Sequence, residues 1–151
     1  MELTLPLDHA AIERILLHRY PFLLVDRVTE LEIDKRIVGI KNVSRNDHFL
    51  SNEASGSSVF PPTLLTEAIA QVGAILILAK PENRQRLPLL AGIKRFRFRR
   101  PVLPGQVIEM EARVVRLGSR MGVLEGVARV DGEVIAGGTM TCALGPSQAM
   151  T

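Results

Sequence analysis

The chain has 151 residues, of which 46% are hydrophobic and 23% charged, a balance typical of a globular protein with one sizeable core. A net charge of +3, one tyrosine and no tryptophan argue against a surface that stacks on nucleic-acid bases. The N-terminus lacks a basic start followed by a long apolar run, and the single cysteine permits no internal disulfide. We therefore expect a cytoplasmic protein.

The first third of the chain predicts a short helix and two strands. Residues 8–17 have apolar positions at helical spacing, and Asp8 can cap their N-terminus. Residues 22–32 and 36–43 predict two strands joined by a short turn, which favours antiparallel pairing. The polar stretch 46–58 is rich in turn-forming residues and predicts a loop.

The most apolar stretch of the chain predicts a helix over about 62–80. Pro62 suits the first turn of a helix, and Pro81 follows its expected end. The helix is apolar nearly all round, which indicates that it is buried. Glu67 and Gln71 are four residues apart and share one face. A carboxylate inside a buried helix is costly unless it is paired or used, so Glu67 is the leading candidate for a functional residue.

The second half of the chain predicts an exposed connection followed by β-structure. Residues 81–88 predict the connection, and residues 106–118 alternate between apolar and charged side chains as a half-buried strand does. Further strands are predicted over 88–100, 123–130 and 133–144, with Asp131-Gly132 as a hairpin turn between the last two.

These elements indicate an α+β fold in which an antiparallel sheet wraps around one long central helix, because only such a sheet would cover the helix on most sides. We expect one domain over 1–151, with disordered tails at 1–7 and 145–151. The central helix is too apolar to face water, and the strands alternate between apolar and polar side chains. From these two features we also expect the protein to form at least a dimer.

Four segments resemble the FabZ-type 3-hydroxyacyl-acyl-carrier-protein dehydratases. They are HRYPFLLVDRV at 18–28, LLTEAIAQ at 64–71, LLAGIKRFRFRRPVLPG at 89–105 and VARVDGEVIA at 127–136. The resemblance implies the hotdog fold, dimers joined edge to edge and an acyl tunnel at the dimer interface. It also implies lyase activity in fatty-acid or polyketide-like biosynthesis. The substrate would be an acyl thioester on the phosphopantetheine of an acyl carrier protein or on CoA, with no further cofactor.

The family's active-site loop reads roughly G-H-F-P-G-H-P-V-M-P-G, and residues 52–62 of this chain read N-E-A-S-G-S-S-V-F-P-P. The match puts Glu67 at the family's catalytic glutamate and Gly56 at the glycine whose N–H binds the thioester carbonyl. Glu53 stands where the family has its catalytic histidine. In the family this histidine and the glutamate come from different subunits. Phe60, Pro61 and Gln71 are predicted to contact the substrate.

Dehydration needs a base for the C2 proton, an acid for the departing hydroxyl and donors for the enolate oxygen. Glu67 suits the acid, because an apolar pocket favours the protonated carboxyl. The backbone N–H groups of Gly56 and of the helix N-terminus suit the role of donors to the enolate oxygen. Glu53 is the predicted base, or else an idle loop residue. Because a carboxylate is a weaker base than imidazole, we expect slow or absent dehydration.

Histidines and arginines are the remaining candidates for functional residues. His18 is interpreted as a structural turn residue and His48 as a surface loop residue, although either can be considered as a base. The three histidines lack metal-ligand spacing, so we expect no metal site. A cluster of cations is predicted to dock an acidic carrier protein, or else to be a solvated strand face: Arg95, Arg97, Arg99 and Arg100.

Three functions remain open from the sequence. The chain is a dehydratase acting on carrier-bound acyl groups, a hotdog thioesterase using Glu67, or a non-catalytic acyl-binding subunit of a heterodimer with a histidine-bearing paralogue. Release of free thiol would favour the thioesterase. The sequence predicts no membrane partner, since Glu67 and Gln71 interrupt the only long apolar segment.

Overall fold

The computed structural model describes residues 3–50 and 58–147. Within these ranges the elements follow in the order α1 (His9–Glu13), β1 (Arg27–Glu32), β2 (Arg36–Asn42), α2 (Pro62–Leu78), a 3₁₀ turn (Pro81–Asn83), β3 (Arg86–Phe98), β4 (Val107–Leu117), β5 (Met121–Val130) and β6 (Glu133–Ser147).

The six strands form one antiparallel sheet in the order β1-β2-β4-β5-β6-β3. Helix α2 contacts every strand of this sheet, so the sheet wraps around it. The inward face of β4 is closed to solvent at Ile108, Met110 and Ala112. The predicted α+β hotdog arrangement is confirmed.

Close approach between α2 and β5 depends on two glycines. A Cβ atom on Gly73 would lie 2.6 Å from Leu124, and one on Gly126 would lie 2.5 Å from Ile69. Neither position has room for a side chain, and the two glycines allow the helix to pack closely against the sheet. Every residue from Ala68 to Leu78 is buried as a result.

The helix ends two residues before the predicted limit. Ala79 is its C-cap, and Lys80 already has an extended backbone. The buried side chain of Asn83 donates to the carbonyl of Ile77 at 3.0 Å and satisfies one of the last free carbonyls of the helix. The prediction that 81–88 is an exposed connection was therefore wrong at Asn83, and β3 begins within that range, at Arg86.

The ends of the chain and the first elements also differ from the prediction. Leu7 is buried and pairs with Val28 through two backbone hydrogen bonds of 2.9 and 3.1 Å. At the other end β6 continues to Ser147, because β3 provides a pairing partner as far as Arg86. Residues 3–7 and 145–147 are therefore not disordered tails.

Helix α1 is capped by Asp8 as predicted, with the carboxylate accepting from Ala11 N at 2.8 Å, but it ends at Glu13. Strand β1 begins at Arg27 rather than at residue 22. The Asp131–Gly132 turn is confirmed, since both residues have positive φ angles, 52° and 77°. Within the described residues, no helix is both long and apolar enough to span a membrane.

Candidate active site

Glu67 lies near the start of α2, at the margin of the part that the sheet covers. Its side chain is 23% exposed, so it is half-buried rather than enclosed as the sequence suggested. One turn further along the helix, Gln71 is buried and donates from Nε2 to Glu67 Oε1 at 3.0 Å. The amide therefore fixes one oxygen of the carboxylate.

Gln71 also holds the segment that precedes β1. Its Nε2 atom donates to the carbonyl of Phe22 at 2.8 Å, and its Oε1 atom accepts from the backbone N–H of Leu24 at 2.8 Å. Both amide hydrogens and the amide oxygen are thus engaged. These bonds orient Glu67 and anchor the chain around Phe22. The predicted contact of Gln71 with substrate stays a prediction.

His18 lies closer to Glu67 than its sequence interpretation indicated. Its Nε2 atom lies 3.5 Å from Glu67 Oε1, whereas the sequence favoured a structural turn residue and left a role as base only as an alternative. No periodicity relates the two positions, because His18 lies in irregular chain that Gln71 holds through Phe22 and Leu24. A hint in the sequence was a histidine four positions before the apolar run that begins at Phe22, since a histidine held close to apolar chain needs a polar partner.

A cavity of about 170 Å³ adjoins these three side chains. The rest of its wall is mostly apolar and is formed by Ala70, Ala74, Pro88, Leu89, Leu90 and Cys142. Burial raises the pKa of the Cys142 thiol to about 11, so at neutral pH the cysteine is a protonated wall residue and not a nucleophile. The cavity therefore combines one carboxyl group with apolar walls, which suits an acyl group with a reacting polar end.

Two other predicted substrate contacts lie elsewhere. Phe60 is buried, donates its backbone N–H to Val102 O at 2.9 Å and lines a neighbouring cavity of about 350 Å³. Pro61 is the N-cap of α2, and its carbonyl accepts from Leu64 and Leu65. Neither lines the cavity beside Glu67. Glu53 and Gly56 lie outside the described residues, so their predicted roles stay predictions.

A larger cavity of about 500 Å³ is a surface recess of a different character. Its wall includes Asp34, Lys80 and Glu82, and the Lys80 ammonium lies 2.6 Å from Asp34 and 3.9 Å from Glu82. These charges are already paired with one another. We therefore centre the functional site on Glu67 despite the smaller volume there.

Comparison with known proteins agrees with this geometry. A model described as the FabA-like domain matches residues 16–139, which is most of the chain. The chain belongs to this family. It is 47% identical, over 92% of its length and 99% of the relative's, to the 3-hydroxyacyl-[acyl-carrier-protein] dehydratase FabZ of Bacillus velezensis.

Solved structures add the fold. The dehydratase heterocomplex ApeI:P from Xenorhabdus doucetiae matches with a TM-score of 0.79 at 21% identity, over 97% of this chain and 94% of the other. A hypothetical thioesterase from Streptococcus pneumoniae with coenzyme A matches with a TM-score of 0.62 at 11% identity, over 81% and 87%. The FabA-like fold of this chain is thus shared by dehydratases and by a protein described as a thioesterase.

The arginine cluster lies where β3 leaves regular pairing. Lys94 and Arg97 face Thr139 and Gly137, which are two residues apart, so the strand carries one extra residue between them. Arg95 has a φ of 54° in this bulge. Simple alternation along a regular strand would place Arg95, Arg97 and Arg99 on one face, and the bulge at Arg95 breaks that alternation.

The pairing across the bulge gives a different set of cations on one face. Arg99 donates its backbone N–H to Ile135 O at 2.7 Å, which continues the register from Gly137. Lys94, Arg97 and Arg99 consequently share a face. Arg100 lies 3.3 Å from Glu133 and is partly occupied by that ion pair.

His48 does not join the Glu67 site among the described contacts. It is exposed, and its ring packs edge-on against Phe49 with centroids 5.0 Å apart and against Tyr20 at 6.4 Å. The surface interpretation of His48 is confirmed. Across residues 3–50 and 58–147, no three His, Cys, Asp or Glu side chains are grouped to hold a metal ion.

Proposed function

We propose that this chain is a FabZ-type dehydratase that removes water from 3-hydroxyacyl thioesters and forms trans-2-enoyl thioesters. The observation that carries the proposal is the half-buried carboxyl of Glu67, held on one oxygen by Gln71 beside an apolar-walled cavity. FabZ relatives at 47% identity over most of the chain support the substrate class. As in those relatives by name, the acyl group would be carried on an acyl carrier protein, with acyl-CoA as the simpler analogue.

The proposed reaction uses two carboxyl groups. Glu53 takes the proton from C2, the C2–H electron pair forms the C2=C3 bond, and the C3–O bond breaks. Glu67 delivers a proton to the departing hydroxyl, which leaves as water. The proton on Glu53 returns to Glu67 through solvent, so the enzyme is unchanged. The N–H of Gly56 and the start of α2 stabilise the negative charge on the thioester oxygen.

The weak step in this scheme is the base. A carboxylate is about two pKa units less basic than an imidazole, judged from ordinary glutamate and histidine, and transition-state proton transfer follows base strength. The unaltered protein should therefore dehydrate slowly, and replacing Glu53 by histidine should raise the rate.

The function is tested by incubating the purified protein with 3-hydroxyacyl-carrier protein and with acyl-CoA while following enoyl absorbance and free thiol together. Enoyl formation without thiol release supports the dehydratase. Thiol release without enoyl formation would replace it with the thioesterase. A protein inert in both assays, until a histidine-bearing paralogue is added, would make it the non-catalytic half of a heterodimer.

Assembly through the edge of β3 is part of the proposal. This strand ends the sheet, is 13 residues long and exposes Leu89, Ile93 and Phe98 by 44–49%. A long apolar edge normally pairs with another strand. We propose a dimer or higher oligomer formed there, with a second copy or a paralogue as partner. That the similar dehydratase named above is described as a heterocomplex supports assembly with another chain. A light-scattering mass of one chain at micromolar concentration would contradict this.

The remaining parts of the proposal concern the carrier and its surroundings. Arg95, Arg97, Arg99 and Arg100 would dock an acidic carrier protein, with Lys94 contributing on the face of Arg97 and Arg99. The reaction needs no metal or organic cofactor beyond the phosphopantetheine of the substrate. Fatty-acid biosynthesis in the cytoplasm is the expected setting, and nucleic acid and membrane are not expected partners.

A further inference from the structure

An amide donor and an imidazole nitrogen lie beside the same oxygen of Glu67. The imidazole Nε2 of His18 lies 3.5 Å from Oε1, and the amide of Gln71 donates to the same oxygen at 3.0 Å. Within the described residues, no side-chain hydrogen bond or ion pair falls on the other oxygen, Oε2. One oxygen is therefore held while the other is left for the reaction.

The surroundings of His18 indicate which of its nitrogens carries the proton. Nδ1 is shielded from solvent and has no hydrogen-bond partner among the described residues. A proton on Nδ1 would be a buried donor without an acceptor, whereas a proton on Nε2 has the Glu67 Oε1 atom 3.5 Å away. The Nε2–H form thus avoids a buried donor without an acceptor.

This arrangement determines where the carboxyl proton of Glu67 sits. With the Gln71 amide donating to Oε1 and the His18 Nε2 atom 3.5 Å from the same oxygen, Oε1 is the accepting oxygen, so a protonated carboxyl carries its hydrogen on Oε2. When Oε2 gives up the proton, the same two donors stabilise the carboxylate that remains. The reacting proton and its stabilising donors are on opposite oxygens of one group.

We propose that His18 is a positioning residue for Glu67, with its Nε2–H and the Gln71 amide holding Oε1 so that Oε2 delivers the proton to the departing hydroxyl. The proposal rests on the dehydratase function proposed above and deepens it. His18 acts through Glu67 and need not touch the substrate.

The kinetic test uses the difference between the two imidazole nitrogens. In the unaltered protein and in Glu53→His, we expect His18→Ala to lower kcat roughly 10- to 100-fold with little change in KM, because a misplaced catalytic group costs rate. His18→Gln extends an amide to the position of Nε2 and should recover most of kcat. His18→Asn reaches only the position of Nδ1 and should resemble His18→Ala.

A matched control is present in α1. His9 lies 3.3 Å from Glu13 and its side chain is 70% exposed, so it provides a histidine–glutamate pair away from the cavity. His9→Ala should leave kcat and KM unchanged. The proposal is overturned if His18→Ala keeps full kcat, or if His18→Gln is no better than His18→Asn in folded protein.

A second measurement separates this proposal from the proposed function. Nitrogen-15 spectra of the imidazole rings report which nitrogen is protonated, whether or not the protein turns over. We expect the Nε2–H form for neutral His18, and a loss of that preference in Glu67→Leu. An Nδ1–H form in the unaltered protein overturns the positioning role. An intact Nε2–H form in a protein that never dehydrates, even as Glu53→His, overturns the proposed reaction instead.

Discussion

Two glutamates of this protein are both shielded from water, yet they have opposite surroundings. Glu111 on β4 is 8% exposed at its side chain and has arginines at both oxygens. Arg36 lies 3.8 Å from Oε1, Arg113 also binds Oε1, and Arg129 donates to Oε2 at 3.2 Å. Glu67 is more exposed, and among the described residues its side-chain contacts, an amide and an imidazole, lie at one oxygen.

The difference distinguishes a carboxylate fully engaged in ion pairs from the carboxyl that we propose to be reactive. Three guanidinium groups contact Glu111 and occupy both of its oxygens, so this carboxylate joins β2, β4 and β5 and has no oxygen left for a ligand. Within residues 3–50 and 58–147, Glu67 Oε2 accepts no side-chain hydrogen bond, and the residue lines a cavity. This unengaged oxygen, more than burial alone, makes Glu67 the stronger functional candidate of the two.

The largest effect is expected at Glu67. Glu67→Gln keeps the volume and removes the transferable proton, so dehydration should fall about 10²- to 10⁴-fold, the range for general acid–base groups. The free energy of unfolding should hardly change, because Gln71 can still donate to an amide oxygen. Initial rates and urea unfolding on the same sample measure both. If the free energy of unfolding falls together with the dehydration rate, the lost rate reflects lost folding, and Glu67 is a structural residue.

The matched change at Glu111 should show the reverse. Glu111→Gln keeps the shape but removes the negative charge among three arginines, and should lower the free energy of unfolding by about 1 to 3 kcal/mol. The arginines are 29–58% exposed, so water limits the loss. The rate at saturating substrate should be nearly unchanged. A stable Glu111→Gln protein with low kcat would remove the contrast between the two glutamates.

A smaller effect is expected for the cationic face of β3. Reversing Arg97 and Arg99 to glutamate should weaken binding of an acidic carrier several-fold at low salt, mainly by slowing association. Physiological salt should reduce the difference. The pair Arg116→Glu and Arg120→Glu changes the net charge equally on exposed positions of β4 and the following turn. If both pairs weaken binding alike, only net charge matters, and an unchanged affinity means a solvated face.

The smallest effect concerns Cys142, in the cavity wall beside Glu67. Its folded pKa is raised from 9.0 to about 11, so the unfolded chain loses the thiol proton first as pH rises. Stability should therefore fall slightly with rising pH between about 9 and 11, and Cys142→Ala should lack this component. Alkylation of the native protein at pH 7.5 should be slow. Rapid alkylation would indicate a reactive cavity wall.

The pattern of apolar residues predicted the regular elements well. The apolar run 62–80 is typical of a buried helix, and the alternation along β4 is typical of a half-buried strand. Asp131 and Gly132 adopt the positive φ angles of a tight turn. These features depend on neighbours in sequence, so local rules find them.

The site was predicted less completely because its contacts are distant in sequence. Glu67 and Gln71 were found from their spacing on one helix. His18 was not, because it reaches Glu67 only after Gln71 has bonded to Phe22 and Leu24. The bulge at Arg95 was also unforeseen, since nothing in the surrounding residues requires a positive φ there.

The central claim is that Glu67 transfers the proton and that Glu53 limits the rate. It is tested most directly by enoyl formation from a 3-hydroxyacyl thioester in four proteins: unaltered, Glu53→His, Glu67→Gln and the double variant. We predict slow or absent turnover in the unaltered protein, a clear gain in Glu53→His, and loss of that gain in the double variant. Brisk turnover by the unaltered protein that Glu67→Gln leaves intact would contradict the account.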